Sequence, residues 1–201
     1  MLVAKEGYPY ITGLLFPAGP AFFFGWNWIG ALMLGLSAFV IFFFRDPERK
    51  FGGTDRQIAS PADGRVVSIR KEDGCEAISI FLSVFNVHIN RAPVSGLISN
   101  IVYKKGKFLL AWDERASVEN EQNSITMDHN GQPVRFVQIA GILARRIICW
   151  RKSGESLVAG ERIGLIKFGS RVDVFLPAGS RIDVRVGQRV SGGKTILGEL
   201  P

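Results

Sequence analysis

Three residues that could carry nucleophilic chemistry lie on separate segments of the sequence. Ser170 directly follows Gly169 at the start of the run RVDVFLP, His88 lies in SVFNVHINRAPVSG, and Asp63 lies in SPADG. A serine, a histidine and a carboxylate form the nucleophile, base and orienting group of many hydrolases, in any chain order. Taken singly, each has an ordinary interpretation: a β-bulge or tight turn at Gly169, a core histidine, and a routine Asp-Gly turn.

The Gly-Ser pair admits a second reaction. The hydroxyl of Ser170 can attack the carbonyl of Gly169 and form an ester by an N-to-O acyl shift. Glycine removes side-chain obstruction there and tolerates a strained backbone. Ser170 does not lie in the G-x-S-x-G turn of α/β-hydrolases. The residues alone leave open whether Ser170 acts in an intact chain or cuts the chain at its own amide.

The first 44 residues form an apolar leader with one lysine and one glutamate as its charged residues. The uncharged piece 26–44 has 19 residues. At about 1.5 Å per residue it nearly crosses a hydrocarbon core of about 30 Å. The piece 11–24 contains Pro17 and Pro20, which fits either a second short span or an interfacial segment. We predict a membrane anchor over 1–44, with a buried helical core as the alternative.

The other residues carry the whole net charge of +7. A basic surface favours an anionic partner, either nucleic acid or an acidic membrane face. The apolar leader favours the membrane, and we expect no nucleic-acid partner. Arg45, Arg49 and Lys50 follow the leader, so the positive-inside rule places the basic part on the cytoplasmic side of the cell membrane. We expect Cys75 and Cys149 to be buried free thiols, and we expect no metal site.

From residue 58 the sequence is typical of β structure. Short segments rich in valine and isoleucine are separated by Gly, Pro, Asn or Asp, and Asn130-Gly131 predicts a hairpin. We predict a mainly β fold: an antiparallel barrel or sandwich over 58–201, joined by a linker at 45–57 to one or two N-terminal membrane helices. SPADGRVVSI and VRVGQRVSGGKTILGEL resemble the half-motifs of lipoyl-like β domains. Exposed strand edges in such a domain favour a homodimer.

Long segments of the chain resemble, in order, the short prokaryotic form of phosphatidylserine decarboxylase, which includes archaetidylserine decarboxylases. The segments are RDPER, SPADGRVVSI, ISIFLSVFNVHINRAPVSG, KFLLAWDERASVENEQN, IAGILARRIICW, GERIGLIKFGSRVDVFLP and GGKTILGEL. The resemblance covers nearly the whole chain from residue 45 onward. It does not distinguish a diacyl lipid from an archaetidyl lipid as the substrate.

That resemblance implies a proenzyme that cuts itself between Gly169 and Ser170. The products, chains 1–169 and 170–201, stay together as a heterodimer, and Ser170 becomes a covalent pyruvoyl group that acts as the electron sink when CO2 leaves. His88 is the implied base, and Asp63 the residue that orients it. Longer members of the family carry two histidines three residues apart in this strand. Here Arg91 takes the second place, which implies a contact with an anionic group of the phospholipid substrate.

Two other functions stay open at this point. A membrane-tethered serine hydrolase would use an uncleaved Ser170 with His88 and Asp63. A non-catalytic lipid-binding β module would keep the fold without the reaction. Self-cleavage separates the decarboxylase from both, because only the decarboxylase requires a cut chain.

Overall fold

The computed structural model describes residues 2–72, 74–107, 119–141, 146–167 and 169–201. Most of the segment KFLLAWDERASVENEQN lies outside these described residues. The chain forms two compact units, Met1–Glu48 and Arg49–Pro201. We treat each unit by itself.

The first unit is a helical hairpin. Its elements are β1 (Leu2–Val3), a 3-10 turn (Lys5–Gly7), α1 (Tyr8–Phe23), α2 (Asn27–Phe43) and β2 (Arg45–Asp46). β1 pairs antiparallel with β2 and closes the open end of the hairpin. Pro17 and Pro20 lie inside α1, so the helix continues through both prolines instead of breaking at them. Neither helix combines the length and apolar character needed to cross a membrane.

The second unit is built from short strands. In chain order they are β3 (Gln57–Ala59), β4 (Gly64–Glu72), β5 (Cys75–Leu82), β6 (Ile89–Arg91), β7 (Gly96–Lys104), β8 (Gln122–His129), β9 (Gln132–Ala140), β10 (Ile147–Cys149), β11 (Ser156–Leu157), β12 (Arg162–Ile166), β13 (Ser170–Leu176), β14 (Arg181–Ile182), β15 (Arg189–Val190) and β16 (Ile196–Glu199).

These strands confirm a mainly β fold with antiparallel sheets. The largest sheet has the order β11-β7-β8-β9-β13-β5-β4-β15, and two three-stranded sheets have the orders β10-β12-β6 and β14-β16-β3. The predicted hairpin at Asn130-Gly131 joins β8 to β9, with φ of 52° and 84° at its two central residues. Of the two predicted architectures, a barrel or a sandwich, the described strands do not form a closed barrel. The large sheet ends in β11 and β15, which have two residues each and do not pair with each other.

β13 is the most deeply buried strand of the large sheet. All seven of its residues are buried, because β9 and β5 flank it and both of its faces are covered. Val172, Val174 and Leu176 belong to the main core. Phe175 points to the opposite face and packs with Ala77, Val137 and Ile139. The strand that begins with Ser170 is therefore held in the core of the unit on both sides.

The two half-motifs predicted from sequence pair with each other. β15 pairs with the start of β4, and β16 pairs with β3. Gly64 begins β4 with φ of 156°, and a Cβ there would lie 2.1 Å from the carbonyl oxygen of Phe81. Only glycine fits this turn. Cys75 and Cys149 are free, as predicted, but half-buried.

Candidate active site

Ser170 lies at the first position of β13. Its Cα partners are Ala140 of β9 and Leu82 of β5. The register with β5 runs to Leu176 and the register with β9 to Phe175, both without a shift, so Gly169 is a turn residue before the strand and not a bulge within it. The Ser170 hydroxyl is fully buried and has no hydrogen-bond partner among the described residues. A buried hydroxyl without a partner is unfavourable, which marks this oxygen as a candidate reacting group.

Gly169 supplies the conformation that precedes Ser170. Its φ is 67°, in the left-handed region that favours glycine. A Cβ at this position would have no atom within 4 Å. The peptide bond between Gly169 and Ser170 therefore has open space on its glycine side and a buried hydroxyl on its serine side.

His88 is buried directly before β6. Its Nδ1 lies 3.0 Å from the carbonyl oxygen of Asn86. A carbonyl oxygen only accepts hydrogen bonds, so Nδ1 carries the proton of the neutral ring. The buried Nε2 of His88 then bears the lone pair, which is the form a general base needs.

The backbone brings His88 toward Ser170. The carbonyl of His88 accepts a hydrogen bond of 3.4 Å from the amide of Ile166, which lies four residues before Ser170. This bond extends the pairing of β6 with β12 by one step. β12 then leads through the Gly169 turn into β13. His88 thus lies opposite Ile166, and Ser170 follows Ile166 by four residues.

A chain of buried amides ties β6 to the large sheet. Asn123 Nδ2 donates to Gln138 Oε1 at 2.9 Å, and Gln138 Nε2 donates to Asn90 Oδ1 at 2.8 Å. Gln138 is the Cα partner of Val172, two residues after Ser170. His88 lies two residues before Asn90, and side chains two apart on an extended segment point to the same side. Strand alternation therefore places His88 on the same side of β6 as Asn90, whose amide contacts the sheet face on which Ser170 lies.

Sequence reasoning missed the amide chain. Asn90, Asn123 and Gln138 are almost fully buried. The available signal was Gln138, the single polar residue in the apolar run FVQIAG, because a buried amide must find a partner.

Asp63 has other partners than His88. Its two carboxylate oxygens accept hydrogen bonds from Nη1 and Nη2 of Arg49, and Oδ1 also accepts one of 2.7 Å from the amide of Gly192. The described contacts of Asp63 run to these two residues. The orienting role of Asp63 toward His88 stays a prediction.

Arg91 lies at the end of β6 and is buried. Its Nη1 donates a hydrogen bond of 2.9 Å to the carbonyl of Gly160. Because Asn90 contacts the large sheet, strand alternation points Arg91 to the other side of β6. The predicted substrate contact of Arg91 stays a prediction.

The second histidine, His129, lies far from Ser170. It ends β8 opposite Gln132, and eight residue steps along β9 lead from Gln132 to Ala140, which is roughly 25 Å. The ring is buried, with Nδ1 2.7 Å from the carbonyl of Ser95. Among the described residues, no group of three or more His, Cys, Asp or Glu side chains could hold a metal ion.

Comparison with known proteins gives one consistent result. A family model described as phosphatidylserine decarboxylase matches residues 36–198. The chain is 46% identical to a phosphatidylserine decarboxylase proenzyme of Geobacter sp. (strain M21), over 99% of this chain and 97% of that protein. It is 45% identical to the proenzyme of Symbiobacterium thermophilum, over 100% and 96%. It is 44% identical to that of Ralstonia pickettii (strain 12J), over 99% and 96%.

Proposed function

The chain belongs to the phosphatidylserine decarboxylase family, and we propose that it decarboxylates phosphatidylserine to phosphatidylethanolamine in phospholipid biosynthesis. We further propose that it does so after cutting itself between Gly169 and Ser170. The observation that carries the proposal is the buried hydroxyl of Ser170, which has no hydrogen-bond partner within the described part of the chain and directly follows a glycine in the left-handed region. A structural serine at the start of a core strand would be expected to have a partner for its hydroxyl.

The cut uses groups that are present in the chain. Nε2 of His88 takes the proton of the Ser170 hydroxyl, and the oxygen attacks the carbonyl carbon of Gly169. An ester forms while the amide bond breaks, which frees the amine of Ser170. Loss of the Cα proton of Ser170 then releases the carboxylate of Gly169. Hydrolysis of the resulting dehydroalanine releases ammonia and leaves a pyruvoyl group at residue 170.

The surroundings of Ser170 fit a pyruvoyl group. The group has no charge and one ketone oxygen, and residue 170 is buried on an apolar strand face beside Val172. A bound pyruvoyl group supplies a carbonyl electron sink for the carbanion that loss of CO2 would leave. β13 holds the new terminus between β5 and β9. In this proposal His88 returns a proton to the substrate carbon.

Asp63 has an indirect part in this proposal. Through Arg49 and Gly192 it holds the segment before β4 against the turn after β15. β6 contacts the segment before β4, because the amide of Arg91 donates a hydrogen bond of 2.9 Å to the carbonyl of Pro61. Asp63 is thus a positioning residue for the strand that follows His88.

The membrane is the proposed location. Residues 1–44 would anchor the chain to the cell membrane, with the second unit on the cytoplasmic side, because the lipid substrate resides there and basic residues follow the leader. The active form would be the heterodimer of the two cleavage products, and exposed strand edges favour a further homodimer. No nucleic-acid partner is part of the proposal.

Mass spectrometry of the purified, incubated protein tests the function. The small product 170–201 should appear with a pyruvoyl group in place of its N-terminal serine, and Ser170→Ala should remain one intact chain. Phosphatidylserine supplied in detergent micelles should lose CO2 with the cut protein alone. An intact wild-type chain that hydrolyses esters would favour a serine hydrolase. An intact, inactive chain that binds lipid would favour a binding module.

A further inference from the structure

An exposed aromatic ring lies beside the end of the large sheet that holds Ser170. Leu82, the last residue of β5, is the Cα partner of Ser170. Phe85 follows Leu82 by three residues, and its side chain is 67% exposed. The loop that carries this ring therefore leaves the sheet directly at the candidate active site.

Hydrogen bonds fix the turn that carries Phe85. The amide of Asn86 donates to the carbonyl of Ser83 at 3.0 Å, which closes a β-turn with Val84 and Phe85 at its central positions. The amide and the hydroxyl of Ser83 both donate to Oδ1 of Asn86, at 2.9 and 2.8 Å. Turn positions favour Gly, Pro, Asn, Asp or Ser for conformational or hydrogen-bonding reasons. Phenylalanine supplies neither advantage, so this ordered turn presents an apolar ring at the surface.

An exposed arginine, Arg146, lies close to the same site. It directly precedes β10, and its carbonyl accepts a hydrogen bond of 3.2 Å from the amide of Lys167. Lys167 lies three residues before Ser170, and the residue before it, Ile166, bonds to the carbonyl of His88. Arg146 is therefore one step of strand pairing away from the backbone that contacts His88. Its side chain is exposed and makes no ion pair with a described carboxylate.

The end of β7 adds a tyrosine and a lysine. β7 ends at the same edge of the sheet, because its last residue pairs with the first residue of β8, which pairs next to the end of β9. Tyr103 is 50% exposed, and Lys105 directly follows the strand and is exposed. Glu119 pairs with Lys107 at 2.8 Å, and Lys105 makes no ion pair with a described carboxylate. Four strand spacings of about 4.8 Å separate β7 from β5, so the ends of these strands lie roughly 19 Å apart.

We propose that this end of the second unit docks on a bilayer that contains anionic lipid, with the Phe85 ring among the lipid chains. Aromatic and basic side chains together are typical of a membrane interface. Two aromatic residues on separate strand ends suit a fluid lipid surface better than a protein partner, because a stable protein interface buries a continuous patch of about 800 Å² on each side. The inference rests on the proposed function, since a phospholipid that reacts at Ser170 reaches it from the bilayer.

A fluorescent probe on a single cysteine tests which end of the second unit contacts the bilayer. The full chain carries Ser170→Ala, which keeps it uncut, together with Cys75→Ser and Cys149→Ser, which remove the native thiols. Phe85→Cys then places the probe on the turn. Thermal unfolding checks that each labelled variant is folded.

Lys71→Cys is the matched control. Lys71 is exposed, and its Cα partner Glu76 pairs with Leu176, six residues along β13 from Ser170, or roughly 20 Å. Residues 1–44 are the same in both labelled chains, so a difference between the probes reports on the second unit alone.

The labelled chains are reconstituted with vesicles of equimolar phosphatidylcholine and phosphatidylglycerol, with or without bromine on the acyl chains. Bromine quenches a fluorophore that lies among the chains. We expect quenching of at least about half at residue 85 and of less than about a tenth at residue 71. Equal quenching at the two positions would overturn the proposal. So would an unquenched probe at residue 85, and cross-linking of two Phe85→Cys chains would then identify a second copy as the occupant.

The two cations are tested with the probe at residue 85. K105Q/R146Q should lower the ratio of docked to undocked molecules by roughly tenfold or more on the anionic vesicles, and by less on phosphatidylcholine alone. K71Q/K152Q, which removes the same charge from exposed lysines away from this end, should match the parent chain. Equal losses in the two double variants would overturn the assignment of this surface.

These readouts need neither self-cleavage nor decarboxylation, because every labelled chain is uncut. Failure of docking would leave the mass-spectrometric test of the wild-type chain unaffected. Failure of that test would likewise leave the quenching results as they are, so the two failures are distinguishable.

Discussion

The carboxylate of Asp63 accepts a hydrogen bond of 2.7 Å from the amide of Gly192, and the two residues lie on opposite sides of the bond between Gly169 and Ser170. Strands from the two sides of this bond also pair with each other. β13 pairs with β5 and β9, β15 pairs with β4, and β16 pairs with β3. Cutting one peptide bond removes none of these pairings.

The two cleavage products should therefore remain one particle. Native size-exclusion chromatography in detergent should elute residues 1–169 and 170–201 together, and a denaturing gel should separate them. Ser170→Ala, which stays uncut, should elute at the same volume. Loss of the small product under native conditions would contradict the strand pairing seen here.

Substituting His88 should slow self-cleavage strongly. A positioned general base contributes about 10²- to 10⁴-fold, so His88→Gln should cut at least about a hundredfold more slowly. The rate is followed on a denaturing gel after rapid purification. The other histidine provides the control: His129 is also buried but roughly 25 Å from the cut along β9, and His129→Gln should cut at the wild-type rate. Equal rates for the two variants would remove His88 from the mechanism.

Gly169→Ala should fold but cut slowly. A non-glycine residue in the left-handed region costs roughly 1–2 kcal/mol, and no atom lies close enough to add a clash. Alanine shifts the turn toward negative φ and moves the carbonyl of residue 169 away from the Ser170 hydroxyl. We expect cleavage at least about tenfold slower. Gly131, with φ of 84° and equally open space, is the control: Gly131→Ala should lose similar stability and cut normally.

Local sequence patterns predicted the local features. Alternation identified β13, Asn130-Gly131 identified a hairpin, and the Gly-Ser pair identified a bulge or tight turn at Gly169. Each of these follows from neighbouring residues, because strand alternation and turn conformation depend on chain geometry over a few positions.

Long-range partners could not be predicted in the same way. A histidine next to a hairpin Asn-Gly pair is typical of an exposed turn, yet His129 is buried against Ser95, 34 residues away. Asp63 bonds to Gly192, 129 residues away. An Asp-Gly pair predicts a turn whichever residue its carboxylate binds. The choice between a barrel and a sandwich stayed open for the same reason, since closure depends on whether two remote edge strands meet.

The Asp63 contacts predict that Arg49 and Asp63 act as a unit. Asp63→Asn and Arg49→Gln should each lower the free energy of unfolding by about 1.5–3 kcal/mol, because each leaves a largely buried charged partner. Both should slow self-cleavage to a similar extent. Urea unfolding is measured in a Ser170→Ala background, where every chain is intact. Slow cleavage in Asp63→Asn with normal cleavage in Arg49→Gln would instead support a direct contact between Asp63 and His88.

The last prediction concerns the chain of buried amides Asn123, Gln138 and Asn90. Gln138→Leu removes the hydrogen bonds to Asn90 and Asn123 and leaves two buried amides without that partner. Each unsatisfied group costs about 1–3 kcal/mol, so the free energy of unfolding should fall by more than the loss of one ordinary hydrogen bond. Cleavage should slow as well, because the hydrogen bond between Gln138 and Asn90, which joins β6 to the sheet face of Ser170, is lost.

A double-mutant cycle with Asn90→Leu separates the two effects. If the amide chain positions His88, the double variant should regain part of the lost stability, since two apolar side chains replace a broken pair, while its cleavage remains slow. Met127→Ala is the control. It lowers stability by truncating a core side chain of β8 that pairs with Val134, six residues along β9 from the partner of Ser170. A cleavage rate that follows stability alike in all of these variants would show that the amide chain supports the fold without directing His88.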